Sequence, residues 1–292
     1  MWSGETQSFR FDFAVERPTR DEEGARAQTA RENARAAARA DVVEPLARAD
    51  DAGWIGARET YGTREIVRCD RNACASTIEG CDAEADVVRG TYEGGLKTWE
   101  GAEDLANEIA MGGVDLGGWL GCADVAVCEV GAGHGVPALV AARALGGRCG
   151  TLTLTDYNRD VVEEVTAPNA QATFELMESE GERAPREVRY LCGDWSGYDA
   201  FVEAGSVDVM LTSESIYDVE QYQSLCSFID HALHERGACY VAAKRYYFGV
   251  GGGTNAFTMF CEKHFNFTVE RLKTFSDGKS NVREILVLRK RR

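Results

Sequence analysis

The chain has 292 residues, 44% of them hydrophobic, which is enough to build one large α/β domain with an appendage. Lys and Arg number 32 against 48 Asp and Glu, so the net charge of −16 works against binding bare nucleic acid or anionic membrane and favours basic proteins as partners. Acidity of this size also serves solubility alone, and no apolar run approaches the roughly 20 residues that cross a bilayer.

Residues 1–23 are polar, with Phe9, Phe11 and Phe13 at alternate positions, a pattern that fits either a short strand or a disordered tail. Residues 24–50 are rich in Ala, Arg and Glu, so a helix is expected there, although its apolar face is mostly alanine. The run REIVRC within 60–89 reads as a strand and leads into an acidic segment. Residues 1–87 are therefore assigned as a partly helical N-terminal extension and 88–292 as the main domain.

From there the alternation is regular. Strands are expected at about 125–130, 151–155, 187–192, 207–212, 238–243, 267–275 and 282–288, separated by helical or loop stretches. One helix follows VPALVAARALG and another spans about 219–235. This is a doubly wound α/β pattern of seven strands. The last two strands are joined only by SDGKS, too short for a parallel crossover, so the final strand is expected to run antiparallel.

Ten cysteines occur, none in a C-x-x-C pair, and Cys128, Cys192 and Cys239 fall in expected strands, where a free thiol acts as a small hydrophobe. A reducing, intracellular setting is expected. The four histidines do not combine with these cysteines at zinc-like spacings, so no metal site is expected; His231 and His234 are placed on the solvent face of one helix.

The first expected strand ends in Glu129 and breaks into Gly131, Gly133 and Gly135. A dinucleotide fingerprint needs its third glycine where Val136 stands, which argues against a pyrophosphate ligand and a dehydrogenase. Glycines at alternate positions let a small ligand lie against the backbone, and the carboxylate before them suits one with cationic groups. S-adenosylmethionine, with a sulfonium and an ammonium, fits, though an ordinary tight turn explains this heptapeptide equally well.

In such a sheet each strand end offers a contact to the ligand. Asp156 in TDYN, 21 residues past Gly135, has the spacing of an acid that accepts hydrogen bonds from both ribose hydroxyls, or it caps a helix. Asp194 and Trp195 of GDW have the chemistry to meet an adenine amino group and ring face, or to form a turn. Ser213, Glu214 and Tyr217 of TSESIY follow the fourth strand, where the transferred methyl and substrate selectivity belong; Ser213 is also a natural helix cap.

The strings TYEGGLKTWEGAEDL (91–105), EVGAGHGVP (129–137), TDYN (155–158), TAPN (166–169), GDW (193–195), TSESIY (212–217) and AAKRYYFGVGGG (242–253) together resemble the protein-histidine methyltransferase family. The resemblance covers about residues 88–288, and YEGG, KTWE and YFGVGGG carry its specificity. It implies a seven-strand, class I methyltransferase fold, S-adenosylmethionine as cofactor and, as substrate, a histidine in a protein of the large ribosomal subunit. The cofactor contacts it implies are Thr98, Trp99, Glu100, Gly101 and Ala102; Glu129, Gly131 and Gly133; Asp156, Tyr157 and Asn158; Gly193, Asp194 and Trp195; and Ser213. Two positions depart from the family pattern. Gly101 stands where Cys is usual, and His134 where a small polar residue is usual, with its side chain expected to point outward.

Methyl transfer from a sulfonium is an in-line displacement, so a neutral imidazole, with an unperturbed pKa near 6.5, needs alignment and a chosen tautomer rather than a strong base. Glu214, Tyr217, Asn169 and the tyrosines of RYYFG are the candidates for holding the distal ring nitrogen. The glycines at 249 and 251–253 fit a loop that closes over substrate, a channel wall or a plain connector. Competing readings are a lysine methyltransferase of the same fold and a non-catalytic binder of a basic ribosomal protein. The terminal RKRR fits an import patch or a solvated tail. The protein is expected to be monomeric, without direct nucleic-acid or membrane contacts, and to reside in cytoplasm and nucleus, including the nucleolus.

Overall fold

The computed structural model describes residues 40–44, 56–69, 93–121, 123–276, 278 and 281–292. The alternating Phe9, Phe11 and Phe13, most of the alanine-rich stretch and the acidic segment before residue 93 lie outside the described residues. Ten strands alternate with five longer helices in chain order. They are β1 (Asp41–Val42), β2 (Gly56–Tyr61), β3 (Arg64–Cys69), α1 (Glu100–Ala110), β4 (Val125–Val130), α2 (Val136–Leu145), β5 (Cys149–Asp156), α3 (Ala167–Ser179), β6 (Glu187–Cys192), β7 (Val207–Ser213), α4 (Tyr222–Ala232), β8 (Leu233–Lys244), α5 (Thr254–His264), β9 (Phe267–Phe275) and β10 (Arg283–Lys290).

The main sheet has eight strands in the order β1-β6-β5-β4-β7-β8-β10-β9. β4, β5, β6, β7 and β8 run parallel, while β10 lies antiparallel between β8 and β9, as the short 276–282 join requires. The expectation of seven strands is corrected to eight. Asp41 and Val42, inside the stretch expected to be helical, pair antiparallel with Cys192 and Leu191 and cover the edge that β6 would otherwise expose.

Alternate residues of each central strand feed two cores. Val127, Leu152, Leu154, Val209 and Tyr240 pack on one face with Leu105, Leu139 and Ala170 from α1, α2 and α3. Cys128, Met210, Cys239 and Leu286 pack on the other with Leu225, Ile229 and Phe257 from α4 and α5. Helix α2 is buried nearly all round, which is why its sequence is apolar on every face. It has α1 and the β2–β3 hairpin for neighbours as well as the sheet, and its one guanidinium, on Arg143, reaches Glu180, Glu182 and the Glu65 carbonyl.

The hairpin of β2 and β3 confirms the strand read in REIVRC and packs against the main domain rather than standing apart. Val67 N–H donates to Thr173 Oγ1 at 2.9 Å, and Tyr61 Oη donates to Glu103 at 2.6 Å. Cys69, at its end, is disulfide-bonded, whereas Cys128, Cys149, Cys192, Cys226, Cys239 and Cys261 are free.

The helix expected to reach residue 235 stops at Ala232, and β8 starts at Leu233, which is fully buried and pairs with Val207. Burial of Leu233 in the sheet outweighs the local helical pattern. His234 therefore lies in a strand, stacked on Trp119 with ring centroids 4.9 Å apart, and does not share a helix with His231, whose Nε2 sits 2.9 Å from the Val202 carbonyl. Among the described residues no helix is long and apolar enough to cross a membrane.

Candidate active site

The sheet order reverses at β4, with β5 on one side and β7 on the other, so a crevice opens outside the carboxyl ends of these strands. A cavity of about 320 Å³ occupies it. Its walls come from the segment before α1, the glycine turn after β4, and the ends of β5, β6 and β7.

The glycine turn is held from above and below. Gly133 N–H donates to Asp156 Oδ2 at 2.9 Å, and a side chain at Gly133 would press on the Gly95 carbonyl at 3.0 Å. A side chain at Gly95 would in turn meet Val161 at 2.7 Å. The YEGG and GAGHG motifs are thus two backbones in contact, which neither tolerates with a Cβ. Gly131, by contrast, has a φ of 67° and nothing within 4 Å of where its Cβ would point, so its face is left bare toward the cavity.

Asp156 ends β5, with Oδ1 accepting from Asn158 N–H at 3.1 Å. Burial pushes its carboxyl up to about 6, opposed by these backbone hydrogen bonds. Glu129 is fully buried beneath the turn, where Oε2 accepts from Ala138 N–H at 3.0 Å in the first turn of α2. Burial raises its carboxyl far above the usual range, and Oε1 has no hydrogen-bond partner. Desolvation raises both carboxyls beside a bare backbone cradle, and a cation seated there favours their ionised forms, which suits a sulfonium-bearing ligand.

Asp194 caps the turn 195–200, accepting from Ser196 N–H at 2.9 Å, and with Trp195 still lines the cavity. The turn reading of GDW is realised, and it leaves both side chains at the cavity. Trp99 stands at the N-terminal boundary of α1; its Nε1 donates to the Gly94 carbonyl at 3.0 Å, and Lys97 Nζ lies 4.3 Å from its ring centre. Thr98 accepts from Arg68 of the hairpin.

Glu214, which also lines the cavity, is the only non-glycine residue with positive φ among the described residues, at 55°. This sharp turn after β7 sends its carboxylate to the N-terminus of α1, where Oε1 accepts from Gly101 N–H at 3.2 Å and Oε2 accepts from Tyr247 Oη. A Cβ at Gly101 would lie 2.6 Å from Glu214 Oε1, so the glycine found at this position opens the seat that the carboxylate takes. Burial raises the Glu214 carboxyl, while the Tyr247 hydroxyl and Lys244 pull it down. Tyr217 Oη donates to Glu93. Ser213 lines the cavity beside them and caps no helix; the hydroxyl on Thr212 instead pairs with Ser215 at 2.6 Å.

The structure thus brings Thr98, Trp99, Ala102, Gly131, Gly133, Asp156, Tyr157, Asp194, Trp195, Ser213, Glu214 and Tyr217 to one cavity wall. Glu100, Gly101, Glu129, Asn158 and Gly193 do not line it, and Glu100 is exposed and pairs with Lys244 at 3.3 Å. Gly101 and Glu129 act through Glu214 and the glycine turn, and Asn158 accepts from Glu93 N–H at 3.1 Å. Asn169 is corrected more strongly: it is fully buried, accepts from Cys69 N–H at 2.8 Å and donates to the His134 carbonyl at 3.0 Å. It braces the turn and does not line the cavity. His134 is the opposite correction. Rather than pointing outward it is 3% exposed and lines the cavity, with Nε2–H donating to the Leu96 carbonyl at 3.0 Å, which fixes that tautomer.

Glu93, Lys97, Asp218 and Glu220 also line the cavity without having been singled out. Glu93 belongs to YEGG and Lys97 opens KTWE, and the specificity of those two motifs was their only signal.

A doubly wound sheet with an antiparallel penultimate position, a bare glycine cradle and carboxylates at successive strand ends define a methyltransferase of the class that uses S-adenosylmethionine. The chain belongs to the family described as lysine methyltransferase, which it matches over residues 90–253. It is 33% identical over 203 residues to the histidine protein methyltransferase 1 homolog of Dictyostelium discoideum, covering 70% of this chain and 60% of that protein. Against the Bos taurus protein of the same name it is 31% identical over 216 residues, covering 67% and 56%. The chain thus spans less than two thirds of the length of these relatives. A solved TehB-like SAM-dependent methyltransferase from Corynebacterium glutamicum is similar at 16% identity and a TM-score of 0.42, over 65% of this chain and 96% of that one. The resemblance carried by the seven strings is borne out by the curated relatives.

Proposed function

We propose that the protein transfers a methyl group from S-adenosylmethionine to an imidazole nitrogen of a histidine in a protein of the large ribosomal subunit. The observation that carries this reading is the Glu214 carboxylate, which lines the cavity and is fixed by Gly101 N–H and the Tyr247 hydroxyl. The cofactor, when bound, supplies an electrophilic methyl on a sulfonium. Gly131, in the turn braced by Glu129, would hold its amino-acid part, Asp156 its ribose and Asp194 with Trp195 its base, which would leave Ser213, Glu214 and Tyr217 for the transfer.

Neutral imidazole attacks with the lone pair of one nitrogen while the other carries a proton. Glu214 accepts that N–H, selects the tautomer and steadies the positive charge that grows on the ring as the N–C bond forms. Tyr247 and Gly101 N–H keep the carboxylate from turning away. A lysine target, with a pKa near 10.4, would have to lose a proton first.

The family's description favours lysine as a second reading. Incubation with dissociated large-subunit proteins and isotope-labelled cofactor, followed by residue-level mass spectrometry, separates the two. Methyl on histidine, reduced at least about 100-fold by Glu214→Gln, is expected; methyl on lysine alone overturns the proposal. We further take residues 90–253, the span of the family match, as the catalytic part, with β1 and the β2–β3 hairpin of the preceding extension packed onto it, and take the protein to act as a monomer in cytoplasm and nucleus.

A further inference from the structure

The loop between β8 and α5 carries alternating inward and outward aromatics. Tyr247 turns in to Glu214, whereas its neighbours Tyr246 and Phe248 are 53% and 87% exposed. Val219, on the adjoining segment after β7, is 45% exposed. This exposure does not come from slack. Tyr247 N–H donates to the Gly252 carbonyl, Gly252 N–H to Tyr217 and Gly253 N–H to Ile216, each at 3.1 Å, and Asp218 bridges Gly251. A Cβ at Gly252 would lie 2.3 Å from the Ile216 and Tyr217 carbonyls, so this contact is built into the sequence.

Two features make the lip continuous with the cavity. Tyr217 and Tyr247 meet edge to face with ring centroids 6.3 Å apart, one lining the cavity and the other rooting the loop. Beside Val219, Asp218 and Glu220 line the cavity, as do Asp194 and Glu93 from other walls, with Lys97 as the cation among them. Large apolar side chains held out over an acidic mouth mark a place where a partner buries apolar surface beside positive charge.

We propose that Phe248, Tyr246 and Val219 form a docking lip for the segment of protein substrate that carries the target residue. The matching segment places a bulky apolar side chain within a few residues of the target and at least one Lys or Arg beside it. This inference rests on the protein-methyltransferase reading above and adds to it the residues that choose the sequence around the target.

The test uses nine-residue fluorescent peptides with a central histidine and two lysines, each with one Phe at one of the three positions on either side. Binding is read by fluorescence anisotropy with S-adenosylhomocysteine present, so that no turnover is needed. At the matching position, Phe→Ala in the peptide is expected to weaken binding about tenfold to the unaltered protein and less than about twofold to Phe248→Ala. Lys→Glu in the peptide is expected to weaken it by a similar factor, with partial recovery in Glu220→Lys. Calorimetric affinity for S-adenosylhomocysteine should be the same in Phe248→Ala as in the parent, which shows that the variant is folded. No binding by any peptide at millimolar concentration, equal binding of Phe and Ala peptides, or a Phe preference that survives Phe248→Ala overturns the lip. Peptides that bind as expected yet acquire no methyl on histidine overturn the catalytic reading and leave the lip standing.

Discussion

Asp156 shows how a single residue carries more than one duty. Its side chain closes the glycine turn through Gly133 and the following loop through Asn158, and burial holds its pKa at about 6 against an ordinary 3.8. A raised carboxyl pKa means that the folded protein without ligand binds more protons than the unfolded chain between about pH 4 and 6, so this group's contribution to stability falls as pH rises through that window. Binding of a ribose or a cation favours the ionised form and runs the other way. Calorimetric affinity for S-adenosylmethionine should therefore tighten about tenfold between pH 5 and 7, and Asp156→Asn should bind weakly with a flat profile; a steep profile in the variant would assign the titration to another group. The acid at this spacing and the GDW pair were legible because each is a strand-end residue with a local sequence context, whereas the tryptophan of KTWE was reached only through the family resemblance. His134 was not legible, since its burial depends on Leu96, Asn169 and Cys69, which are distant in sequence and meet only around the turn.

At the scale of elements, the regular alternation of strand and helix from residue 125 onward was readable because buried parallel strands are continuous apolar runs. Strand β1 was not, because two residues gain their conformation from the free edge of β6 rather than from their own sequence. The hairpin of β2 and β3 joins the domain through Asn169, so Asn169→Ala leaves Cys69 N–H without its acceptor and should cost about 1–3 kcal/mol in denaturant unfolding. A variant within about 0.3 kcal/mol of the parent would show that water replaces this bond. In the β8–α5 loop, Gly252→Ala forces a Cβ against two carbonyls and should lower the melting temperature by about 4–10 °C, from roughly 2–3 kcal/mol of overpacking. The sequence left that glycine run open between a closing loop, a channel wall and a connector. Its hydrogen bonds to Ile216 and Tyr217 make it a pinned wall.

For the whole molecule, a net charge of −16 creates a field that draws basic partners toward every face, while the carboxylates at the cavity mouth concentrate it where transfer occurs. Raising salt from 50 to 500 mM should lower kcat/KM on a basic protein substrate several-fold with little change in kcat, measured by initial rates of label transfer; a fall in kcat instead would point to salt acting on the chemical step. What the sequence alone determined was the doubly wound architecture, the cofactor class and the set of strand-end carboxylates, since periodicity, glycine spacing and loop length are local properties of the chain. Only the tertiary structure decided that Asn169 braces and His134 lines the cavity, that Gly101 makes room for Glu214, and that Phe248 is held exposed beside the inward-turned Tyr247. Those arrangements join residues 33 to 113 positions apart, and long-range packing, not local pattern, brings such groups within hydrogen-bond reach.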